Sequence, residues 1–309
     1  MQSFLVSISR SIRDELRLLF AGRGPTEIRV TAQKVSLIRR LERRVRSELG
    51  VPYPWVTKSF LGKDLIVREG TLIETPDYDD AWLYACLKNS KTMFDVGANV
   101  GQWSLVALSC AQVKQVVLVE ANWKALAVAA DNLIRNNLSA KARFVGAFAA
   151  EKSDASINFW TVGTGAASSM FQGHAVTAAK AGSMTTVPTV SLDDLCSGFE
   201  LCPDLIKIDV EGAEAKVLTG ATKLASRNQS RFFIEMHSPP ELPMTENAAL
   251  VLAWAKSHDY AAWYLSEGVR IETPDPIAHR GRCHLLVQPS SWPYPEWLRG
   301  IKQSANIQG

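Results

Sequence analysis

The chain has 309 residues, 47% of them hydrophobic, with a formal net charge of +3. That is enough apolar material for one substantial core or for a domain with an extension, and too little net charge to call for nucleic acid as a partner. No apolar run reaches the roughly 18 residues of a membrane span, and Arg10, Arg13 and Asp14 interrupt the first twenty residues, so the reading includes neither a transmembrane segment nor a signal peptide.

Charge is unevenly placed. Residues 1–50 hold eleven Lys/Arg against five Asp/Glu. Leu5, Ile8, Ile12, Leu16 and Leu19 share one face of a predicted helix, and Ile38, Leu41, Val45 and Leu49 one face of a second. Arg39, Arg40, Arg43, Arg44 and Arg46 decorate the second helix. Two uses fit this basic helical extension: peripheral contact with a membrane surface or acidic partner, and packing on the main domain or in a homodimer. Gly50-Val51-Pro52-Tyr53-Pro54 breaks the pattern and sets the boundary of a second domain, residues 51–290, followed by a tail over 291–309.

Within that domain, Leu65 to Arg68 and Leu72-Ile73 read as short strands before a helix near 80–88. Strands and helices then alternate: a strand over 92–96 and a helix over 104–112; a strand over 116–120 and a helix over 124–136; then a strand over 143–148. Later come a strand over 204–210 with a helix over 214–224, and a strand over 231–236 with a helix over 248–258. Final strands fall at 261–266, 269–272 and 284–288. The alternation predicts a doubly wound α/β sheet, mostly parallel and covered on both faces, with an antiparallel last strand. Five cysteines without a C-x-x-C pair, two of them (Cys86 and Cys110) in apolar helical stretches, suit a reducing, cytoplasmic setting.

The richest segment is Asp95-Val96-Gly97-Ala98-Asn99-Val100-Gly101, a buried strand turning sharply into a helix. Gly97 allows the fold-back, and Gly101 allows the first helical turn to approach a ligand or the sheet. Asn99 stands where a dinucleotide fingerprint would have its second glycine. A carboxylate at Asp95 repels phosphate and attracts a cation. S-adenosylmethionine, with a sulfonium, an ammonium and no phosphate, suits this turn. Glu120, ending the next apolar strand, is placed to accept hydrogen bonds from both ribose hydroxyls.

Between 156 and 190 the rhythm changes. Ser156–Trp160 and Thr185–Val190 alternate like paired strands around the small, hydroxyl-rich 163–170, either a lid or a plain surface loop. Ser191 fits a helix N-cap. Further on, Leu205-Ile206-Lys207-Ile208-Asp209-Val210-Glu211-Gly212-Ala213-Glu214 is an apolar strand running into an acidic turn. Asp209 and Glu211, two apart, point the same way in extended backbone and could accept a proton or bind a cation; Glu214 suits a helix N-terminus. The next strand ends in Glu235-Met236-His237, and a histidine there can act as general base near neutral pH.

Together, the glycine turn 94–101, Glu120-Ala121-Asn122, Val190-Ser191-Leu192-Asp193-Asp194-Leu195, the run 206–214 and Glu235-Met236-His237 stand in the order of a known family. Over roughly residues 90–265 the chain resembles the FkbM family of S-adenosylmethionine-dependent methyltransferases. It departs at Ala121, where the family usually has proline. The resemblance implies a class I methyltransferase (Rossmann-like) fold and O-methylation of a sugar, glycan or secondary metabolite. On that reading Asp95, Gly97, Asn99, Gly101 and Glu120 hold the cofactor, His237 is the base, Asp209 orients the acceptor hydroxyl or the histidine, and Glu211 and Glu235 support them.

His279, Cys283 and His284 lack zinc spacing, so no structural metal is expected; Asp209, Glu211 and Glu235 could hold Mg²⁺ with waters. A non-catalytic adaptor docking through the basic helices is the alternative, and the acidic residues at successive strand ends argue against it. A nucleic-acid methyltransferase lacks support: no Pro-Pro-aromatic turn follows Asp209.

Overall fold

The computed structural model describes residues 53–72, 79–163 and 168–307. The predicted helical extension over 1–50, with its membrane-contact and dimer readings, lies outside the described residues, as do Ile73 and residues 164–167 of the small-residue loop. The chain divides into two compact units, residues 1–56 with 68–70, and residues 57–67 with 71–309. Every residue from 71 onward belongs to the second unit.

In chain order, β1 (Trp55–Phe60) and β2 (Lys63–Arg68) form a two-stranded sheet. Then come α1 (Asp80–Leu87), β3 (Thr92–Val96), α2 (Gln102–Ser109), β4 (Gln115–Val119), α3 (Trp123–Arg135), β5 (Ala142–Val145) and β6 (Phe148–Ala149). The excursion follows as β7 (Ser156–Trp160), α4 (Val176–Lys180) and β8 (Met184–Val190). The second half holds α5 (Leu192–Phe199), β9 (Leu205–Ile208), α6 (Glu214–Thr219), α7 (Thr222–Ala225), β10 (Arg231–His237) and α8 (Met244–Ser257). It ends with β11 (Tyr260–Tyr264), β12 (Val269–Ile271) and β13 (Arg282–Pro289).

Eight strands form the central sheet in the order β12-β11-β13-β10-β9-β3-β4-β5. The five from β10 to β5 are parallel, and β13 lies antiparallel to both β10 and β11. The parallel strands read as unbroken apolar runs because both faces are covered; Phe94, Val117, Ile206 and Phe232 are fully buried. β4 and β5 lie on one side of β3, and β9 and β10 on the other. The winding therefore reverses between β3 and β9, where a crevice opens at the carboxyl ends of the strands. β7 and β8 pair antiparallel as expected, and β6 joins them in a separate sheet.

Three features differ from the sequence expectations. β1 alternates between exposed and half-buried residues with none fully buried, so no apolar period marks it. The helix expected over 214–224 is two helices, broken at Gly220; a side chain there would come within 2.1 Å of the Ala150 carbonyl oxygen, so the chain presses on β6's end and cannot continue evenly. The residues after Ser290 are not a separate tail: Leu298 is buried, and the Trp82 indole N–H donates to the Ile301 carbonyl at 3.0 Å.

Candidate active site

The cleft at the switch point is lined by Gly97, Asn99, Glu120, Phe148, Asp209 and Glu211, among others. Gly97 makes it possible. Its φ is +74°, its N–H bonds the Val119 carbonyl at 2.9 Å, and a Cβ would lie 1.7 Å from the Asp209 carbonyl oxygen. Only glycine lets β3 turn this close to the end of β9. Asn99 follows, also left-handed at φ +49°, and its buried Oδ1 has no hydrogen-bond partner. Glu120 accepts from the Asn99 N–H at 2.8 Å and the Asn122 N–H at 2.7 Å. Burial raises the pKa of this carboxyl, and those two backbone bonds oppose the shift. Each of its oxygens retains a lone pair for a hydroxyl.

Two of the expected cofactor residues do not line the cleft. Asp95 is wholly buried: Oδ2 accepts from the Ser104 hydroxyl at 2.6 Å, and Oδ1 lies 3.6 Å from Lys207 Nζ. Its carboxylate therefore faces Lys207 and α2, not the open cleft. Gly101 caps α2 in the left-handed region, and a Cβ there would meet the Ala129 Cβ at 2.7 Å. Its role is close packing of α2 on α3.

Lys207 is the residue the sequence reading passed over. Register pairs it with Asp95 on the adjacent strand. Its buried ammonium donates to the Gly97 carbonyl at 3.1 Å and to Asp209 Oδ2 at 3.2 Å, tying the glycine turn to the acidic turn. Burial alone would lower its pKa, but Asp209, Asp95 and Glu235 more than offset this and raise it. A lysine in an otherwise apolar strand, two residues before an aspartate, was the available signal.

β9 ends at Ile208, so Asp209 and Glu211 do not share a strand face. They reach the cleft through a turn in which Glu211 is left-handed at φ +57° and Gly212 follows at +105°. Burial pushes the Asp209 carboxyl up to about 7; Lys207 opposes the shift and Glu235 adds to it. Glu211 contacts the His174 imidazole through Oε2, and the same oxygen is 3.4 Å from His237 Nε2. His174 lies in the β7–β8 excursion, which is pinned to the acidic turn by the Ser169 hydroxyl donating to the Glu211 carbonyl at 3.0 Å. No motif marked His174 in the sequence.

His237 sits among carboxylates. Its Nδ1 is 3.3 Å from Glu214 Oε1, and its Nε2 is 3.4 Å from both Glu211 Oε2 and Glu235 Oε1. Burial disfavours the imidazolium, but Glu214, Glu235, Asp209 and Glu211 outweigh it and push the pKa up to about 11. This corrects its expected role as a base near neutral pH, because a protonated ring has no lone pair to take a proton. Glu214 is not a simple dipole partner for its helix either. It accepts from the Gly212 N–H at 2.9 Å and from Asn247 Nδ2 at 2.7 Å, buried beneath the histidine. Glu235 lies behind the cleft, 3.2 Å from Arg282 and 3.4 Å from His284, which in turn is 3.4 Å from Asp79. Burial would raise the Glu235 pKa, and the two histidines hold it low.

A reversed parallel sheet, an antiparallel strand inserted near one edge and a glycine-turn cleft define a class I methyltransferase fold. The chain belongs to the FkbM methyltransferase domain family, whose model matches residues 95–261. Among solved structures it is similar to a methyltransferase FkbM from Methylobacillus flagellatus KT, 18% identical with a TM-score of 0.42. That match covers 82% of this chain and 53% of the other, so the chain spans about half the length of that relative. It is also similar to M. jannaschii TYW2 in complex with AdoMet, 11% identical with a TM-score of 0.40, covering 76% of this chain and 84% of that one. A third is M. capricolum TrmK in complex with S-adenosyl-homocysteine, 11% identical with a TM-score of 0.37, covering 68% and 66%. No curated protein matches the chain. Among the described residues no helix is long and apolar enough to cross a membrane.

Proposed function

We propose that the protein binds S-adenosylmethionine in the cleft and methylates a hydroxyl on a small-molecule or glycan acceptor. The observation that carries this reading is the cradle itself: Gly97 with no room for a side chain, the unpartnered Asn99 Oδ1, and the Glu120 carboxylate, side by side at the switch point. These groups fit the cofactor. Glu120 suits the ribose hydroxyls, the buried, edge-packed Phe148 and Phe159 offer an apolar wall, and the free Asn99 acceptor suits an N–H or O–H of the ligand. Carboxylates rather than cations line the cleft, which favours a sulfonium ligand over a phosphate-bearing one.

Bound there, the cofactor supplies an electrophilic methyl group. The chain's own residues do the rest. Asp209, at the end of the cleft away from Glu120's strand, accepts the hydrogen bond of the acceptor hydroxyl, orients its oxygen and takes its proton as the oxygen–methyl bond forms and the sulfur–methyl bond breaks. Such positioning is worth several orders of magnitude when the geometry is held. Lys207 fixes Asp209 from below through the 3.2 Å contact. The β7–β8 excursion, anchored through Ser169 and His174, covers the acidic turn and limits water. An acceptor carrying phosphate would meet Asp209 and Glu211 at unfavourable sign, which argues for a neutral acceptor over nucleic acid.

Incubation with methyl-labelled S-adenosylmethionine and, separately, a metabolite extract, a glycan set and transfer RNA tests the proposal. Alkali-stable label on a hydroxyl of a neutral product is expected. Label entering RNA alone would overturn the acceptor class, and absence of S-adenosylhomocysteine binding by calorimetry would overturn the cofactor.

A further inference from the structure

The acidic turn holds more donor atoms than methyl transfer needs. We infer that Asp209, Glu211 and His237 form a site for a first-row transition-metal dication, Zn²⁺ or Mn²⁺, with His174 as a further donor. The inference deepens the proposed function and rests on it only for the use made of the metal.

Four observations carry it. One ligand atom from each of Asp209, Glu211 and His237 lies within 4.8 Å of the other two. His237 Nε2 and Glu211 Oε2 are 3.4 Å apart, and donors bonded at about 2.1 Å to one metal are about 3.0–3.4 Å from each other. His174 presents its Nε2 to the same Glu211 oxygen, and its ring stands edge-on to His237 with centroids 5.7 Å apart, so two imidazole nitrogens converge on one carboxylate. Finally, His237 is held from behind. Glu214 faces its Nδ1 at 3.3 Å, and Asn247 holds the other Glu214 oxygen at 2.7 Å and the His237 carbonyl at 3.0 Å. A carboxylate on the rear nitrogen is how proteins fix a ligating histidine's tautomer and aim the other nitrogen at a metal; the dication would displace the Nε2 proton that the surrounding carboxylates hold in its absence.

The donor set selects the metal. Mg²⁺ takes oxygen donors and keeps its waters, whereas imidazole with carboxylate suits zinc, manganese or iron. Glu235, proposed from sequence as an oxygen ligand, lies outside this group of donors. A dication here would lower the pKa of a bound hydroxyl and remove the need for a histidine base. The hydroxyl's proton would leave to water, its oxygen would bond the methyl carbon, and the sulfur–methyl bond would break with its electron pair going to sulfur, releasing S-adenosylhomocysteine.

The full-length protein, stripped of metal, is titrated with Co²⁺ and followed in the visible. One equivalent is expected to give a ligand-field band that one equivalent of Zn²⁺ removes and about a tenfold excess of Mg²⁺ does not. Asp209→Asn and Glu211→Gln, each checked for folding by circular dichroism, should weaken Zn²⁺ binding at least roughly 10-fold, with His174→Ala having a smaller effect. Absence of a stoichiometric band would overturn the site, as would equal displacement by Mg²⁺ or binding untouched by either carboxylate variant. Parallel calorimetry with S-adenosylhomocysteine separates the two readings: metal without cofactor binding sinks the methyltransferase proposal alone, and cofactor without metal binding sinks this one alone.

Discussion

At the scale of single residues the cleft depends on contacts that tolerate little change. A methyl group at position 97 would have to occupy the space of the Asp209 carbonyl, in backbone that L-residues avoid. Overpacking and strain together should cost Gly97→Ala about 2–5 kcal/mol, seen as a lowered Tm with S-adenosylhomocysteine binding lost. Glu120→Ala is milder for the fold and should weaken S-adenosylhomocysteine by about 1.5–3 kcal/mol, roughly 10- to 150-fold in Kd by calorimetry. Lys207 has the opposite balance. It is buried between Asp95 and Asp209, so Lys207→Met leaves two carboxylates facing each other without a cation, and breaking such a pair costs about 3–5 kcal/mol. Equilibrium urea unfolding should show that loss, with part of it recovered in Lys207→Met/Asp209→Asn. That the glycine turn, Glu120 and the acidic turn meet at one cleft was legible because local order along the chain puts each at a strand's carboxyl end. His174 was not, since it acts on Glu211, far away in sequence, and Lys207 was not, since its tie to Asp95 and Gly97 comes only from strand register. Asp95 was recognisable as important but not its direction, because a carboxylate at a strand end can face the ligand or the neighbouring strand, and only register with Lys207 decides.

At the scale of elements, alternation of apolar runs and helical periods located nearly every strand and helix of the parallel half, where both faces are buried and the pattern is strongest. It failed where packing overrides local preference. The helix break at Gly220 follows from the approach of β6's end, and the insertion of β13 between β10 and β11 is a long-range pairing that no local pattern records. The junction of β10, α6 and α8 is the most demanding of these contacts. Asn247, fully buried on α8, holds both Glu214 on α6 and the end of β10. Asn247→Leu keeps the approximate volume but leaves the Glu214 carboxylate and the His237 carbonyl with unmade bonds. It should lose about 2–4 kcal/mol of stability, measured by urea unfolding, whereas Asn247→Asp, which sets a second carboxylate against Glu214, should be worse at pH 8 than at pH 5. Equal loss at both pH values would mean the asparagine serves packing alone.

At the scale of the whole molecule, the chain separates a cleft lined with carboxylates from an amino-terminal stretch with an excess of six positive charges, eleven basic residues against five acidic in 1–50. Every residue argued to hold cofactor, acceptor or metal belongs to the unit formed by 57–67 and 71–309. Deletion of residues 1–50 should therefore leave S-adenosylhomocysteine affinity within about threefold of the full chain, a change of less than 1 kcal/mol. The basic stretch makes a separate prediction. Each Lys or Arg near an anionic bilayer contributes about 1 kcal/mol, and this attraction fades over a Debye length of roughly 10 Å at 0.1 M salt. If the arginine-rich stretch is a membrane-surface device, the full chain should sediment with phosphatidylserine vesicles at 50 mM salt, release at 500 mM, and ignore neutral vesicles, while the truncated chain stays in the supernatant throughout. Full-length protein that stays in solution at low salt would assign the stretch to protein packing instead. Analytical ultracentrifugation of the same two proteins then distinguishes a dimer lost on truncation from a monomer in both.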